Sequence, residues 1–120
     1  MRKANRAYQA QMAAAMDERT LQQQVADMAK RLGLFHYHPR ISAGSAPGWP
    51  DSVIVGERIL FRELKSQTGR LSPEQRAVGD RLKAAGADWA IWRPSDWLSG
   101  EIETQLRLLK GQPTLPLEAS

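Results

Sequence analysis

The chain has 120 residues and a mass of 13.4 kDa, a size that allows one domain with a modest core and excludes two. It contains no cysteine, which excludes disulfides, thiolate zinc sites and a cysteine nucleophile, and favours a reducing compartment. A formal net charge of +4 and a pI of about 9.9 weakly favour polyanionic partners such as nucleic acid. Because no apolar run reaches membrane-spanning length, we expect a cytoplasmic protein.

Residues 1–17 form an N-terminal arm rich in Ala, Gln and Met, for which a helix and a mobile terminus both remain open. From Glu18 onward the pattern predicts an amphipathic helix that ends at Gly33, because apolar residues recur at helical spacing, namely Leu21, Val25, Met28 and Leu32. Glu18 falls on the same stripe. Its carboxylate either points towards a functional site or only complements the helix dipole.

Residues 34–38 predict a short strand that Pro39 terminates. His36 and His38 share one face of this strand, at a spacing compatible with metal ligation. Without cysteine partners, however, alternating histidines are more often ordinary polar strand residues. His38 is a candidate contact for a phosphate group. The small residues of the following segment, 40–47, predict a loop that contacts DNA or gates a site.

The stretch 48–65 predicts a β-hairpin, in which the strands Ser52–Val55 and Ile59–Leu64 flank a Gly-Glu-Arg connection. Because side chains alternate along a strand, Glu63 and Lys65 project from the same face, about 7 Å apart. Asp51 stands at the open end of the partner strand. Folding of the hairpin therefore brings Asp51 towards Glu63 and Lys65.

Two carboxylates and a lysine suit a particular chemistry. The carboxylates can hold Mg²⁺, and the ammonium can stabilise developing negative charge or orient a water, a combination that fits phosphodiester hydrolysis. The alternative is that Glu63 and Lys65 form only an ion pair at a sheet edge. With a two-residue loop, Asp51 would lie opposite Arg62 and face away from Glu63. Binding of one metal ion by both Asp51 and Glu63 requires a three-residue loop or a bulge, so we predict an irregular hairpin.

Ser72, Pro73 and Gln75 predict a strong helix start, with Ser72 as N-cap and Gln75 at the capping-box position. The helix extends to Ala85, and one of its faces carries Gln75, Val78, Leu82 and Ala85. Gln75 either completes the capping box or points inward at the site. We do not expect one side chain to do both fully.

Residues 87–92 predict a further strand, and a helix between two strands indicates a crossover connection and a parallel pair. Ser95 or Asp96 then caps a short turn around Trp97. The last helix, Glu101–Lys110, directs Ile102, Leu106 and Leu109 inward, and residues 111–120 form an extended tail. The order of elements predicts an α/β domain around a small mixed sheet.

Several short motifs occur in order along the chain and together resemble the VRR-NUC family of the PD-(D/E)XK nuclease superfamily. They are Glu18, Tyr37-His38-Pro39, Gly48-x-Pro50-Asp51, Glu63-x-Lys65, Gln75 after a Gly-Arg-Leu-Ser-Pro turn, and the Trp92-Arg93-Pro94-Ser95-Asp96-Trp97 block. The similarity spans roughly 18–109 and is greatest to the stand-alone phage and bacterial form. One departure is Trp49, where we expect Phe or another apolar residue.

The resemblance implies a PD-(D/E)XK core over residues 18–110 and a Mg²⁺- or Mn²⁺-dependent endonuclease that cuts branched DNA as a homodimer, similar to Holliday-junction resolvases, in a bacterial or phage-infected cell. Asp51, Glu63 and the backbone carbonyl of Leu64 would hold the metal, and Lys65 would be the catalytic lysine. Auxiliary site residues would be Gln75 and Glu18, the latter through water. Candidate DNA contacts are His38, Arg40, Trp49 and Arg70.

Two other functions remain open. One is a non-catalytic DNA-binding or scaffold protein, and the other is a nuclease of restriction-type or nonspecific duplex specificity. The four tryptophans are expected to be packing residues, although Trp49, close to Asp51, is also a candidate for stacking on a nucleotide. The dimer surface is likewise open between the last helix and the N-terminal arm.

Overall fold

The computed structural model describes residues 3–39 and 46–111, and the side chains from residue 5 onward within them. These residues form five helices and four strands: α1 (Lys3–Ala15), α2 (Glu18–Arg31), β1 (Phe35–Tyr37), β2 (Ser52–Val55), β3 (Ile59–Leu64), α3 (Pro73–Ala84), β4 (Asp88–Trp92), α4 (Pro94–Leu98) and α5 (Glu101–Leu109). The predicted α/β class is thus confirmed. Within the described ranges, no helix is both long and apolar enough to cross a membrane.

The four strands form one mixed sheet in the order β1-β2-β3-β4. The pairs β1–β2 and β2–β3 are antiparallel, whereas β3 and β4 are parallel. Since two parallel neighbours cannot be joined by a tight turn, α3 provides the crossover between them. The parallel pair predicted from the helix between two strands is confirmed.

The register of the β2–β3 hairpin is the one required for Asp51 and Glu63 to bind the same cation. Pairing begins at Val55 with Ile59, so Gly56-Glu57-Arg58 is a three-residue loop, as predicted. The last pair at the other end is Ser52 with Arg62. Continuing by one residue places Asp51 opposite Glu63. At the loop, the Glu57 N–H donates to the Leu109 carbonyl at 2.9 Å, which ties the hairpin to the end of α5.

One face of the sheet carries the hydrophobic core, where the strands pack against α2 and α5. The fully buried members are Leu21, Val25, Ala29, Ile54, Leu60, Leu64, Trp92, Ile102, Leu106 and Leu109. Burying each large aliphatic side chain stabilises the fold by about 1.5–3 kcal/mol. The inward residues predicted for the last helix are confirmed. In α2, Leu21 and Val25 are buried as predicted, while Met28 and Leu32 are partly buried.

On the opposite face, α3 packs over β4. Its buried residue is Gly79, where an added Cβ would lie 2.5 Å from the Trp89 ring, so glycine is what lets the helix approach the strand. The predicted end of this helix, Ala85, is one residue beyond the observed one. The helix ends at Ala84, Ala85 is its exposed C-cap, and the chain turns away at Gly86, whose φ is +90°.

The predicted cap of the turn around Trp97 is also wrong. Arg93 occupies the N-cap position of α4 and Pro94 the first helical position. Asp96 lies two residues further on, and its carboxylate accepts a hydrogen bond from the Arg93 N–H at 2.8 Å. Proline at the first helical position moves the helix start ahead of Ser95.

The terminal regions and the long loop complete the description. Helix α1 packs against α4 and buries Ala13. Helix α2 has Leu32 as its C-cap, and Gly33, predicted for that position, follows it with a φ of +74°. Arg40 with most of the predicted loop, and residues 112–120 of the predicted tail, lie outside the described residues.

Candidate metal-binding and catalytic site

Five side chains predicted for the site come from α2, β3, α3 and the residues directly before β2 and after β3, and they lie beside the carboxyl end of β3. We call this group the β3 site: Glu18, Asp51, Glu63, Lys65 and Gln75. Electrostatic interactions link Glu18 and Glu63 to both Asp51 and Lys65, and Gln75 is hydrogen-bonded to Glu63. The fold therefore brings together the predicted catalytic residues, which are far apart in the sequence.

Glu63 is the most unusual member, because it is a carboxyl group that is 0% exposed. The Gln75 side chain donates from Nε2 to its Oε1 at 3.1 Å. Its other oxygen, Oε2, has no hydrogen-bond donor among the described residues. Burial, followed by the hydrogen bond and charge of Asp51, raises the pKa of Glu63 to about 9. Both causes favour the protonated form of Glu63 when no cation is bound.

Asp51 is held from two sides. The Leu64 N–H donates to its Oδ2 at 2.9 Å, and His38 donates from Nδ1 to its backbone carbonyl at 2.6 Å. Just before it, Gly48 has a φ of +85°, and a Cβ there would lie 2.3 Å from the Glu74 carbonyl oxygen. The chain entering β2 therefore packs closely on the start of α3, which orients the Asp51 carboxylate towards Glu63.

Gln75 plays two roles at once, contrary to our expectation. Its Oε1 accepts from the Ser72 N–H at 2.9 Å while the Gln75 N–H donates to Ser72 Oγ at 3.0 Å, which is a complete capping box. Its Nε2 remains available and donates to Glu63. A side-chain amide has both an acceptor and a donor end, so the helix cap and the site do not compete for it.

Glu18 and Lys65 form the outer part of the β3 site. Glu18 is the first residue of α2 and is half-buried; burial and the negative charge of Asp51 raise its pKa, and Lys65 opposes this rise. Lys65 follows β3 directly, and its N–H donates to the Trp92 carbonyl at 3.1 Å. Backbone pairing with β4 thus fixes the point from which the half-buried lysine side chain extends.

Arg93 stabilises the site's border, and sequence reasoning missed this role. Its Nη1 donates to the carbonyls of Ser66 and Gly69, both at 2.7 Å. The guanidinium thereby closes the turn that begins directly after Lys65. The arginine lies within the Trp92-Arg93-Pro94 block of the sequence, but nothing in its spacing shows that its side chain reaches the turn after Lys65.

Three of the four candidate DNA contacts lie in the described part of the chain, and all three are exposed. His38 is exposed and beside Asp51, and Trp49 is 40% exposed, with its ring edge-on to Phe61 at 5.9 Å. Arg70 is exposed in the turn before α3. Arg40 lies outside the described residues.

Comparisons of the chain with models of known protein families, with curated proteins and with solved structures give no match. The family resemblance therefore depends on the sequence motifs alone. The fold itself is a mixed four-stranded sheet with flanking helices.

The donors present fit a hard cation that keeps much of its water. No three His, Asp or Glu side chains of the described residues are arranged to enclose a metal ion. Two adjacent carboxylates, one of them with an oxygen that lacks a donor, nonetheless leave a negative charge that a cation would neutralise. Mg²⁺ and Mn²⁺ suit this set, because Mg²⁺ commonly binds through one or two carboxylates and completes its shell with water and substrate phosphate.

Proposed function

We propose that the protein is a divalent-metal-dependent endodeoxyribonuclease, with Asp51 and Glu63 as the metal carboxylates. One observation carries this proposal: Glu63 is a fully buried carboxyl with an oxygen that lacks a donor, beside a second carboxylate and a lysine. A buried group of this kind is costly to the fold unless a proton or a cation neutralises it. Perturbed carboxyls beside a specific charged partner are characteristic of functional sites.

Asp51, oriented by the Leu64 N–H, and Glu63, oriented by Gln75, would hold Mg²⁺ or Mn²⁺, with the Leu64 backbone carbonyl as the expected further ligand. A divalent ion there would supply Lewis-acid chemistry to the scissile phosphate and would lower the pKa of water. Lys65 supplies positive charge where negative charge develops on the phosphate, or orients the attacking water. Glu18 contributes through a water molecule.

The proposed substrate is DNA, in keeping with the net charge of +4. A preference for branched forms, such as four-way junctions or flaps, comes from the family resemblance alone. His38, Trp49 and Arg70 are the proposed DNA contacts among the described residues, because they surround the β3 site and are exposed.

Cleavage assays test the proposal. Labelled four-way junction, flap and plain duplex DNA are incubated with Mn²⁺ and the native chain, with Asp51→Asn, or with Lys65→Ala. We expect Asp51→Asn to lower the cleavage rate by about 10³-fold or more. Lys65→Ala should lower it by about 10²–10³-fold with DNA binding retained, because the lysine acts on the transition state. Asp80→Asn, an exposed aspartate on α3, is the matched control.

Three outcomes would contradict parts of the proposal. If the native chain binds DNA but cuts none of the three substrates with Mg²⁺ or Mn²⁺, the chain is a binding or scaffold protein. If it cuts plain duplex as fast as the branched substrates, the preference for branched DNA is wrong. If Lys65→Ala loses binding and cleavage equally, Lys65 is an affinity residue.

A further inference from the structure

The sheet face opposite the core carries two rows of side chains that run across β1, β2 and β3. The register aligns Phe35 with Val55 and Ile59 in one row, and Tyr37 with Val53 and Phe61 in the next. We call these six residues the open face. Because facing residues of adjacent strands project to the same side, the six side chains form one continuous surface.

Aromatic rings supply most of the exposed area of this surface. Phe35 is 64% exposed and Tyr37 52%. Trp49, 40% exposed, lies with its ring edge-on to Phe61 and extends the surface. Among the described helices, α2 and α5 pack on the other face of the sheet and α3 lies over β4, so these three helices leave the rings uncovered.

The size of the exposed patch argues against a protein partner. At about 150–250 Å² for a fully exposed aromatic side chain, the three rings and Ile59 together expose roughly 400 Å² of apolar surface. Each partner in a stable protein complex buries about 800 Å², which is about twice this area. Rings on a sheet are, however, a surface on which proteins stack the bases of single-stranded nucleic acids.

We propose that the open face, together with Trp49, binds single-stranded DNA by stacking its bases on the three exposed rings. Phe35 and Tyr37 are two residues apart on β1 and project to the same side, so their Cα atoms are about 6.6 Å apart. Successive bases within one strand of a duplex are only about 3.4 Å apart. Rings at about twice that spacing therefore fit bases that have been separated, as in an unpaired, extended strand.

The open face leads directly to the β3 site. Val53 and Phe61 belong to its last row, and two residues further along the same strands, on the same side of the sheet, lie Asp51 and Glu63. A strand whose bases stack on the rings therefore has its backbone beside the proposed metal carboxylates. Among branched substrates, this position favours flaps, which contain a single strand, over fully paired four-way junctions.

Positive charge is available at both ends of the open face. Arg58 is exposed and borders Ile59 and Phe61 at the loop end, and Lys65 belongs to the β3 site at the other end. Cations attract the phosphates of any DNA, whether paired or unpaired. The rings supply the part of the affinity that depends on bases being free to stack.

For the type of nucleic acid and the direction of the strand, the inference rests on the proposed nuclease function. Stacking itself needs neither a metal ion nor cleavage. A chain that binds single-stranded DNA through these rings but cuts no DNA contradicts the nuclease proposal and supports this inference. A chain that cuts DNA but binds it equally well without the rings overturns this inference alone.

Fluorescence anisotropy on the full chain in EDTA tests the proposal, with a labelled oligothymidylate of about 15 nucleotides and a blunt duplex as probes. Phe35→Ala and Tyr37→Ala each remove one ring of the open face. Tyr37→Phe keeps the ring, and Tyr8→Ala removes a ring from α1 that is 62% exposed, nearly as much as Phe35. All three residues are exposed, so the variants should fold, and thermal unfolding followed by circular dichroism checks this.

We expect the native chain to bind oligothymidylate at micromolar concentration, and each alanine variant of the open face to bind it about 5- to 100-fold more weakly. Tyr37→Phe and Tyr8→Ala should stay within about threefold of the native chain. Affinity for the blunt duplex should change by about threefold or less in every variant. The salt dependence of binding should also be unchanged, because the removed rings carry no charge.

Four outcomes overturn the proposal. One is a native chain that shows no binding of oligothymidylate up to about 100 µM. If the alanine variants lose affinity for duplex and single strand equally, the rings do not select unpaired bases. If a ribonucleotide oligomer of the same length binds more tightly, the face binds RNA. If the variants weaken self-association in sedimentation velocity and bind oligothymidylate normally, a second copy covers the face.

Discussion

Arg62 and Glu63 are neighbours on β3 and are both buried, but the two side chains differ in how many partners surround their charges. Arg62 faces the core side of the sheet and is 3% exposed. Its Nη1 donates to the Asp88 carbonyl at 2.7 Å, its Nη2 forms a 3.0 Å ion pair with the Asp88 carboxylate, and its guanidinium lies 5.1 Å from the centre of the Trp92 ring. Only its Nε lacks a hydrogen-bond partner.

Glu63, on the other side of the same strand, has no such set of partners. It accepts one hydrogen bond from Gln75, and its carboxyl neighbour is Asp51, whose hydrogen bond and charge both oppose ionisation. Burial lowers the pKa of Arg62, and Asp88 opposes that shift; for Glu63, burial and Asp51 both raise the pKa. Contacts within the protein compensate the charge of Arg62, whereas the charge of Glu63 has to be neutralised by a proton or by a bound cation.

The largest effect on stability is expected for Arg62, the buried charge that has partners within the protein. Arg62→Ala should lower the free energy of unfolding by about 2–4 kcal/mol, because it removes packing in the core together with the hydrogen bonds that Arg62 donates to Gln105 and to two carbonyls. Urea denaturation measures this loss. Arg58→Ala, an exposed arginine of the same hairpin, should change stability by about 0.5 kcal/mol or less. Equal losses would mean that the Arg62 contacts contribute little.

Gln75→Glu separates the two roles of the residue that connects α3 to Glu63. The new carboxylate can still accept from the Ser72 N–H and preserve the capping box, but it cannot donate to Glu63. We expect the metal-free protein to lose about 1–2 kcal/mol at neutral pH. The added carboxyl, half-buried and close to the negative charge of Asp51, should have a raised pKa in the folded state. The loss should therefore grow as pH rises and shrink towards acid.

Ser72→Ala is the comparison variant, because it removes the cap and leaves the amide donor to Glu63 in place. It should cost about 1 kcal/mol, with little dependence on pH, since no ionisable group changes. Urea denaturation at several pH values measures both variants. If Gln75→Glu behaved like Ser72→Ala at every pH, the Gln75–Glu63 hydrogen bond would have no energetic importance.

The sequence predicted those parts of the fold that follow from periodicity and from the order of the elements. Strand alternation placed Glu63 and Lys65 on one face, and the helix between β3 and β4 indicated the parallel pair. The loop length remained open between two and three residues, and only the chemistry expected of Asp51 favoured the three-residue loop that places it opposite Glu63. Contacts between distant segments could not be read in this way. The reach of Arg93 to the turn after Lys65, and the packing of Gly79 on Trp89, depend on how α3 and α4 dock on the sheet.

Predictions from the local sequence also failed in two situations. In one, a single side chain makes two interactions, and in the other, a proline sets the start of a helix ahead of the residues expected to cap it. Gln75 was treated as a choice between the cap and the site, although the two ends of its amide serve both. Pro94 moved the start of α4 ahead of the predicted caps. The exposed side chains of Phe35, Tyr37 and Ile59 show a further limit, since strand alternation predicts which residues share a face of the sheet but not whether a helix covers that face.

The central claim is that Glu63 exchanges its proton for a divalent cation, and Mn²⁺ titration across pH tests it most directly. Since the pKa of Glu63 is about 9 without metal, binding below that pH must release one proton. Isothermal titration calorimetry should show the Mn²⁺ affinity of the native chain rising about tenfold per unit between about pH 6 and pH 8.

Glu63→Gln keeps the shape of the side chain but removes the charge, and it should bind Mn²⁺ at least about 100-fold more weakly and with a flatter pH profile. Glu57→Gln, in the exposed hairpin loop, should behave like the native chain. A pH-independent Mn²⁺ affinity in the native chain, or an undiminished affinity in Glu63→Gln, would contradict a cation held by the buried carboxyl.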